Sequence, residues 1–362
     1  MLAQVDKIIH RIMYRSIADN IEFVRAKLSR DPARNDMLEA VLASEHIGSM
    51  VGRALRNRGV TTTALLGDAE DLQSWLPGLR GEGVDATVRE WDWNCIDEPG
   101  VIARIPYANE HWELVDRATS AHGARVMVLS ELLGSFALMY FLASKLDYFK
   151  TMEEALPIYL GKEFFGPLQQ LNGLFNLTGK RVIEFGPFDG YQTCGLSYLG
   201  ANVTSIEARA ENVLKTRAAL EATGLSAHIT IDDFHNAHTA RYGRFDLAFA
   251  HGVYYHSIAP LVFLGLLTRL ADRVFIGGFC ATDALPKGAW ETLRHNGELY
   301  RVKRYFETTG FTAGVNRTAY FFHSEDLMRF FRISGFEIAV VSDANQNKTA
   351  GQFIRFLATR AS

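Results

Sequence analysis

Cysteine is scarce in this chain. Cys95, Cys194 and Cys280 are the three present, an odd and widely spaced set without a CxxC pair. This excludes a disulfide framework and a cysteine-based zinc site, and no metal is expected. Charge of one sign is also lacking. Lys+Arg total 38 against Asp+Glu 41, a formal net charge of -3, so no overall field draws the chain to bulk nucleic acid or an anionic membrane. A local basic patch is compatible with this balance. Long apolar runs are missing too. The most apolar helix candidate, Leu132-Leu-Gly-Ser-Phe-Ala-Leu-Met-Tyr-Phe-Leu-Ala-Ser-Lys145, is too short to span a bilayer and ends in charge, so a buried or interface helix is expected. Met1 to His10 lack the apolar core of a signal peptide, and with the low cysteine content this gives a cytoplasmic expectation.

What is present is an ordinary globular composition, 48% hydrophobic and 22% charged over 362 residues, long enough for two cores. Residues 1–58 read as a helical arm: Ile8, Ile9, Ile12 and Met13 recur at helical spacing, Asp31-Pro32 interrupts, and Met37 to Ala43 resumes. The arm carries no chemical motif, and packing or homo-oligomer contact is its expected role. From 59 to 130 strands alternate with helices: strands Thr61–Gly67, Gly83–Trp91, Val101–Ile105 and Arg125–Leu129, with helices at Leu72–Arg80 and from His111 to Ala118. This alternation predicts a small parallel sheet. Where a phosphate loop would lie, the chain reads Gly67-Asp-Ala-Glu-Asp-Leu72, and Asp68, Glu70 and Asp71 would repel a pyrophosphate. The sheet is therefore expected to shape a cleft or an oligomer interface, without binding a dinucleotide. Residues 131–178 return to helix and connect the two sheets.

The most informative stretch is Arg181-Val-Ile-Glu-Phe-Gly-Pro-Phe-Asp-Gly190. It reads as a buried strand, a tight glycine turn and, from Tyr191 to Leu199, a helix. Glycine suits a turn where a ligand approaches the backbone, and the open N–H groups of the first helical turn face the same space. Periodicity alone leaves a generic α/β turn and a cofactor turn equally open. The next acid tips the balance. Ala201-Asn-Val-Thr-Ser-Ile-Glu207 reads as a second strand ending in a carboxylate, at about the separation that suits a ribose-binding acid.

With these residues in place, the chain resembles the class I S-adenosylmethionine-dependent methyltransferases. Glu184-Phe-Gly186-Pro-Phe-Asp-Gly190 matches the family's first motif, Glu207 matches the acid that holds the ribose hydroxyls, and Asp233-Phe234 matches the residues that contact adenine. Phe245-Asp-Leu-Ala-Phe-Ala-His-Gly-Val-Tyr-Tyr-His256 looks like the fourth strand and its loop. The chain departs from the pattern at Phe188, where many members carry a further glycine. The resemblance implies S-adenosylmethionine as cofactor, held by Glu184, Gly186, Pro187, Phe188, Gly190, Tyr191, Glu207, Asp233, Phe234 and His251. It also implies an α/β seven-stranded sheet over 179–362, preceded by the helical arm and a small degenerate Rossmann-like domain, and a helical cover that brings Tyr159 and Lys162 near the cofactor.

In that sheet a fifth strand is expected at Asp272–Gly278, a late helix opened by a capping Ser324, and a final antiparallel pair at Phe336–Val341 and Gln352–Leu357. Residues 284–323 are an insertion rich in aromatic and basic side chains: Trp290, Tyr300, Tyr305, Phe306, Phe311 and Tyr320 among Lys287, Arg294, Arg301, Lys303, Arg304 and Arg317. Loops at the carboxyl ends of parallel strands line the ligand crevice, so a substrate lid for a planar, sugar-like or anionic molecule is expected. A surface excursion with self-packed aromatics is the plainer alternative.

His251 and His256 flank the loop where the methyl group would emerge, and either is a candidate general base. A helix-capping role suits His256 equally. The expected activity is methyl transfer to a hydroxyl or amine of a small-molecule, sugar or glycan-type acceptor. A non-catalytic cofactor-binding scaffold is one rival. A tRNA-modifying alkyl transferase is another, because Gly252-Val-Tyr-Tyr-His256 looks like the loop of the tRNA wobble-uridine carboxymethyl transferases. A nicotinamide oxidoreductase fits less well, since Phe188 and the adenine motif suit the methyltransferase better.

Overall fold

The computed structural model describes residues 45–66, 72–89, 100–102, 126–128, 161–284, 286, 288–307, 315–316, 318–347 and 351–361. The acidic loop 67–71, the helix expected at 111–118, Tyr159 and the segment Leu132–Lys145 lie outside them, as does most of the arm. The described elements fall into two compact units.

The first unit begins with α1 (Glu45–Arg56), followed by β1 (Thr62–Leu66), α2 (Leu76–Gly81), β2 (Asp85–Arg89), β3 (Gly100–Ile102) and β4 (Val126–Val128). Its strands form a four-stranded sheet in the order β2-β1-β3-β4, and every pairing is parallel. The alternation in the sequence therefore encodes the expected small parallel sheet. Two glycines let α1 and α2 pack backbone to backbone. A Cβ on Gly48 would lie 2.1 Å from the Trp75 carbonyl oxygen, and one on Gly78 would lie 2.0 Å from that of Glu45.

The second unit runs through α3 (Gly161–Leu174), β5 (Arg181–Phe185), α4 (Tyr191–Tyr198), β6 (Asn202–Glu207), the start of α5 (Ala210–Thr223, whose residues from Leu214 on count with the first unit), β7 (His228–Ile231) and α6 (Thr239–Tyr242). It continues with β8 (Leu247–His251), α7 (Pro260–Leu270), β9 (Arg273–Cys280), β10 (Trp290–His295), β11 (Glu298–Phe306), β12 (Thr318–Phe322), α8 (Ser324–Ile333), β13 (Phe336–Asn347) and β14 (Gly351–Arg360). Its large sheet has seven strands in the order β13-β14-β9-β8-β5-β6-β7. Strands β5 to β9 pair in parallel, and β14 closes antiparallel on β9 and β13. In β5 and β8 apolar side chains are buried on both faces, which is why those strands read as continuous apolar runs. Pro260 opens α7 at a position needing no N–H partner, and the helix buries Phe263 against Phe185, ring centroids 5.2 Å apart. Each fully buried Phe or Leu of this layer contributes roughly 1.5–3 kcal/mol.

One expectation changes. Ser324 is the first helical residue and no cap. The extended chain continues through His323, which bridges Ala281 and occupies the cap position without a side-chain hydrogen bond. The insertion contains a three-stranded antiparallel sheet, β10-β11-β12, with Tyr300, Phe321 and Phe322 buried and Phe306 exposed. Lys303, also buried, donates from Nζ to the carbonyls of Asp283 (2.8 Å) and Pro286 (3.2 Å) and so fastens the start of the insertion.

Candidate active site

Strand β5 comes first in sequence among the parallel strands, with β6 and β7 on one side of it and β8 and β9 on the other. The chain direction therefore switches between β5 and β8, the point where open α/β sheets place their ligand crevice, at the carboxyl ends of the strands. The turn after β5 and the loop after β8 meet at this point. Gly186 has φ +66, and a Cβ on it would lie 3.0 Å from Cγ2 of Val253. Only glycine satisfies both the left-handed backbone and the close approach. Phe188 adopts φ +54, a glycine-like conformation for a bulky residue, which explains why a further glycine is the commoner choice there. Gly190, with φ +85, caps α4 without a side-chain hydrogen bond, and its N–H closes the turn on the Pro187 carbonyl at 2.8 Å.

Glu207, at the end of β6, lies against this turn. One carboxylate oxygen accepts from the Arg209 N–H at 2.9 Å, and the other lies 3.4 Å from the Phe188 N–H. Burial pushes its pKa up, opposed by hydrogen bonds from Arg209, Asn212 and Phe188. Glu184 is more enclosed. Its Oε2 accepts from the hydroxyls of Thr193 and Ser205, both at 2.6 Å, and burial raises its pKa to about 7. Those contacts join β5, β6 and α4 and direct the Glu184 carboxylate into the protein, where it braces the turn. Tyr191 is the first residue of α4 and Pro187 is buried within the turn.

Beyond β7, Asp233 Oδ1 accepts from the N–H of His235 at 2.9 Å and lies 2.7 Å from its Nδ1. His235 Nε2 in turn lies 2.7 Å from the buried Ser257 hydroxyl, which also accepts from Ala259 N–H at 3.0 Å. The ring of Phe234 packs on Phe263 at 4.5 Å. The turn after β7 is thus tied to the residue that follows His256.

The two candidate histidines sit in different surroundings. His251 pairs with Gly277 across β8 and β9, and Gly277 pairs with Arg355 across β9 and β14, so the three lie side by side. The ring fills the space a side chain at Gly277 would take: a Cβ there would lie 2.2 Å from its Cδ2. Arg355 donates from Nε to His251 Nε2 at 3.1 Å, and Gln192 meets Nδ1 at 3.1 Å. Burial, with the Arg355 charge adding to it, lowers the pKa of His251 to about 3. A neutral ring that accepts at Nε2 carries its proton on Nδ1; the Gln192 atom placed there is the amide nitrogen Nε2, so that proton assignment requires the amide to be exchanged end for end, with its oxygen accepting. With Nε2 occupied by a permanent cation's N–H and Nδ1 protonated, His251 has no basic nitrogen to offer. The base expectation rests on His256. Its Nδ1 lies 2.6 Å from Oε1 of Glu307, just past the end of β11.

Gly277, Arg355, Gln192 and Glu307 were not singled out in the sequence. A signal existed for the glycines: Gly277-Gly278 interrupts a strand interior, which marks close approach by another group. A Cβ on Gly278 would lie 2.6 Å from Tyr254 Cε1. Among the described residues no group of three or more His, Cys, Asp or Glu is placed to hold a metal ion, and no helix is long and apolar enough to cross a membrane.

The strand order decides the fold. A seven-stranded sheet closed by an antiparallel β14 is the arrangement that the resemblance implies. No protein-family profile matches the chain. Among curated proteins it is 33% identical over 112 residues to protein-L-isoaspartate O-methyltransferase 1 of Anaeromyxobacter sp. (strain Fw109-5), covering 30% of this chain and 53% of that protein. It is 29% identical over 118 residues to a protein-L-isoaspartate O-methyltransferase of Methylorubrum populi, covering 32% and 56%. The chain thus spans about half the length of the curated relatives it matches. Among solved structures, the N-terminal domain of EvdMO1 with SAH bound is 22% identical with a TM-score of 0.43, covering 54% of this chain and 81% of that one. Magnesium protoporphyrin IX methyltransferase from Synechocystis PCC 6803 with bound SAM is 16% identical with a TM-score of 0.40, covering 58% and 85%.

Proposed function

We propose that this protein is a methyltransferase that uses S-adenosylmethionine and acts on a hydroxyl or amine of a small-molecule, sugar or glycan-type acceptor. The observation that carries the reading is Glu207 at the end of β6, 3.4 Å from the backbone N–H of Phe188 in the glycine turn. A buried carboxylate beside an open backbone turn offers paired acceptors for ribose hydroxyls and donors for an anionic group. The Gly186 and Val253 contact leaves no room for a side chain at the floor of the crevice, which suits a flat cofactor laid against the backbone. Gly186, Phe188, Gly190, Glu207 and the turn at Asp233 and Phe234 would hold it. Its sulfonium supplies an activated methyl group.

The rest falls to the chain itself. Positioning supplies much of the acceleration in a displacement of this type, and a base matters when the acceptor must lose a proton. His251, neutral and locked by Arg355 and Gln192, serves as a wall of the site on the cofactor side. His256 is the proton acceptor. The tRNA-modifying alternative rests on the likeness of one loop, and within it Tyr254 and Tyr255 are buried. Those two rings are core packing and lend nothing to nucleic-acid recognition. Calorimetric titration with S-adenosylhomocysteine, followed by transfer of labelled methyl from S-adenosylmethionine to a metabolite extract, tests the reading. Binding with label transfer is the expected result, and binding without transfer would favour a non-catalytic scaffold.

A further inference from the structure

A carboxylate from the insertion lies against His256. The insertion ends β11 at Phe306, and the next residue, Glu307, places Oε1 2.6 Å from Nδ1 of His256. The pair is largely enclosed: the side chains are 15% exposed for His256 and 8% for Glu307, so water competes poorly for either group. The positions on both sides are fixed. His256 closes a short 3₁₀ turn with its N–H on the Val253 carbonyl at 3.0 Å, and its ring lies 4.5 Å from that of Tyr255. Tyr255 stacks in turn on Phe321 of β12 at 5.0 Å. Strand β11 is paired on both edges, by β10 and β12. Among the described residues Nε2 of His256 makes no hydrogen bond, and the buried Nδ1 meets Glu307 at ion-pair distance, without the alignment of a hydrogen bond.

We propose that Glu307 is a positioning residue that holds His256 in the Nδ1–H tautomer, so that Nε2 is a proton acceptor and the acceptor is a group that must lose a proton, such as a neutral hydroxyl, and not a carboxylate. This rests on the methyltransferase reading and narrows its substrate class. A carboxylate is already ionised near neutral pH and requires no base, whereas an alcohol must give up its proton as the new bond forms. A buried carboxylate behind the imidazole is suited to that second case, because it fixes the ring and balances the imidazolium that results. The acceptor O–H proton passes to Nε2, the oxygen electron pair forms the O–CH3 bond, the S–CH3 bond breaks with its pair returning to sulfur, and the proton leaves His256 for solvent after release.

The test reads the ring directly, by long-range 1H–15N correlation of the histidine side chains at pH 8 in the wild type, Glu307→Gln and Glu307→Leu, with and without S-adenosylhomocysteine. His256→Asn assigns the signal. The expected result is Nδ1–H in the wild type and in Glu307→Gln, whose amide oxygen still accepts, and a shift toward Nε2–H in Glu307→Leu. An Nε2–H ring in the wild type overturns the proposal without need of any variant. A methyl-acceptor comparison completes it, using methyl hexopyranosides against an isoaspartyl peptide. Labelled methyl on the glycoside, lowered at least tenfold by Glu307→Leu and partly restored by Glu307→Gln, supports the assignment, and transfer to the peptide carboxylate that Glu307→Leu leaves unchanged overturns it. Failure of S-adenosylhomocysteine to bind would sink the cofactor reading separately, since the tautomer of the free protein is measured independently of it.

Discussion

Arg355 donates to His251 Nε2 across 3.1 Å, and the two side chains come from strands separated by the backbone of Gly277. This contact makes one of two similar-looking histidines a fixed, neutral ring. It also sets a pH dependence. The folded pKa of His251 is about 3, well below the ordinary 6.5, so above pH 6.5 the residue is neutral in both states and adds no slope. As pH falls from 6.5 toward 3, the unfolded chain takes up a proton that the native protein refuses, and stability is lost. His251→Asn should therefore remove about 2 kcal/mol of the acid-induced loss between pH 6.5 and 4.5. Urea midpoints of both proteins over that window check it, and parallel curves would remove the cause.

Gly277→Ala should destabilise the protein by about 1–3 kcal/mol, because the added methyl would lie 2.2 Å from the His251 ring and the ring is held on both nitrogens. In a His251→Ala background the same substitution should cost little. A double-mutant cycle on denaturant midpoints measures this coupling, and additive effects would mean that the ring yields easily.

Glu207→Ala should weaken S-adenosylhomocysteine binding by roughly 1.5–3 kcal/mol, the scale of lost charged hydrogen bonds, while the protein stays folded. Isothermal calorimetry gives the answer. Equal affinity in a folded variant would take Glu207 out of the cofactor site.

Phe188 occupies a conformation, φ +54, that β-branched residues strongly resist. Phe188→Val should lower stability by about 1–3 kcal/mol and impair cofactor binding, whereas Phe188→Gly should keep the turn. Thermal melts with and without S-adenosylhomocysteine distinguish the two, and equal melts for both variants would show that the turn relaxes.

Glu184 runs in the opposite direction to His251. Its folded pKa of about 7 lies above the ordinary 4.5, so its contribution is fully present below pH 4.5 and is lost as pH rises toward 7. Glu184→Gln should gain about 2–3 kcal/mol relative to the wild type across that interval, with the amide oxygen still accepting from Thr193 and Ser205. Denaturant midpoints from pH 4.5 to 8 provide the measure, and a constant offset would assign the carboxylate an ordinary titration.

The sequence by itself determined the strands, the glycine turn and the ordered acids, because each is a local matter. A strand buried on both faces must read as an apolar run, as Val182 to Phe185 do apart from Glu184, and a left-handed turn selects glycine at 186 and 190. Parallel sheets follow from alternation, so both sheets were legible. The packing of the insertion was not legible because its aromatic and basic composition does not say which way the side chains point; pairing of β10, β11 and β12 turned Tyr300 and Phe322 inward. The difference between His251 and His256 was not legible at all. It depends on Arg355, 104 residues beyond one, and on Glu307, delivered to the other by β11, and only the closing of β14 on β9 and the folding of the insertion bring those charges within hydrogen-bond distance.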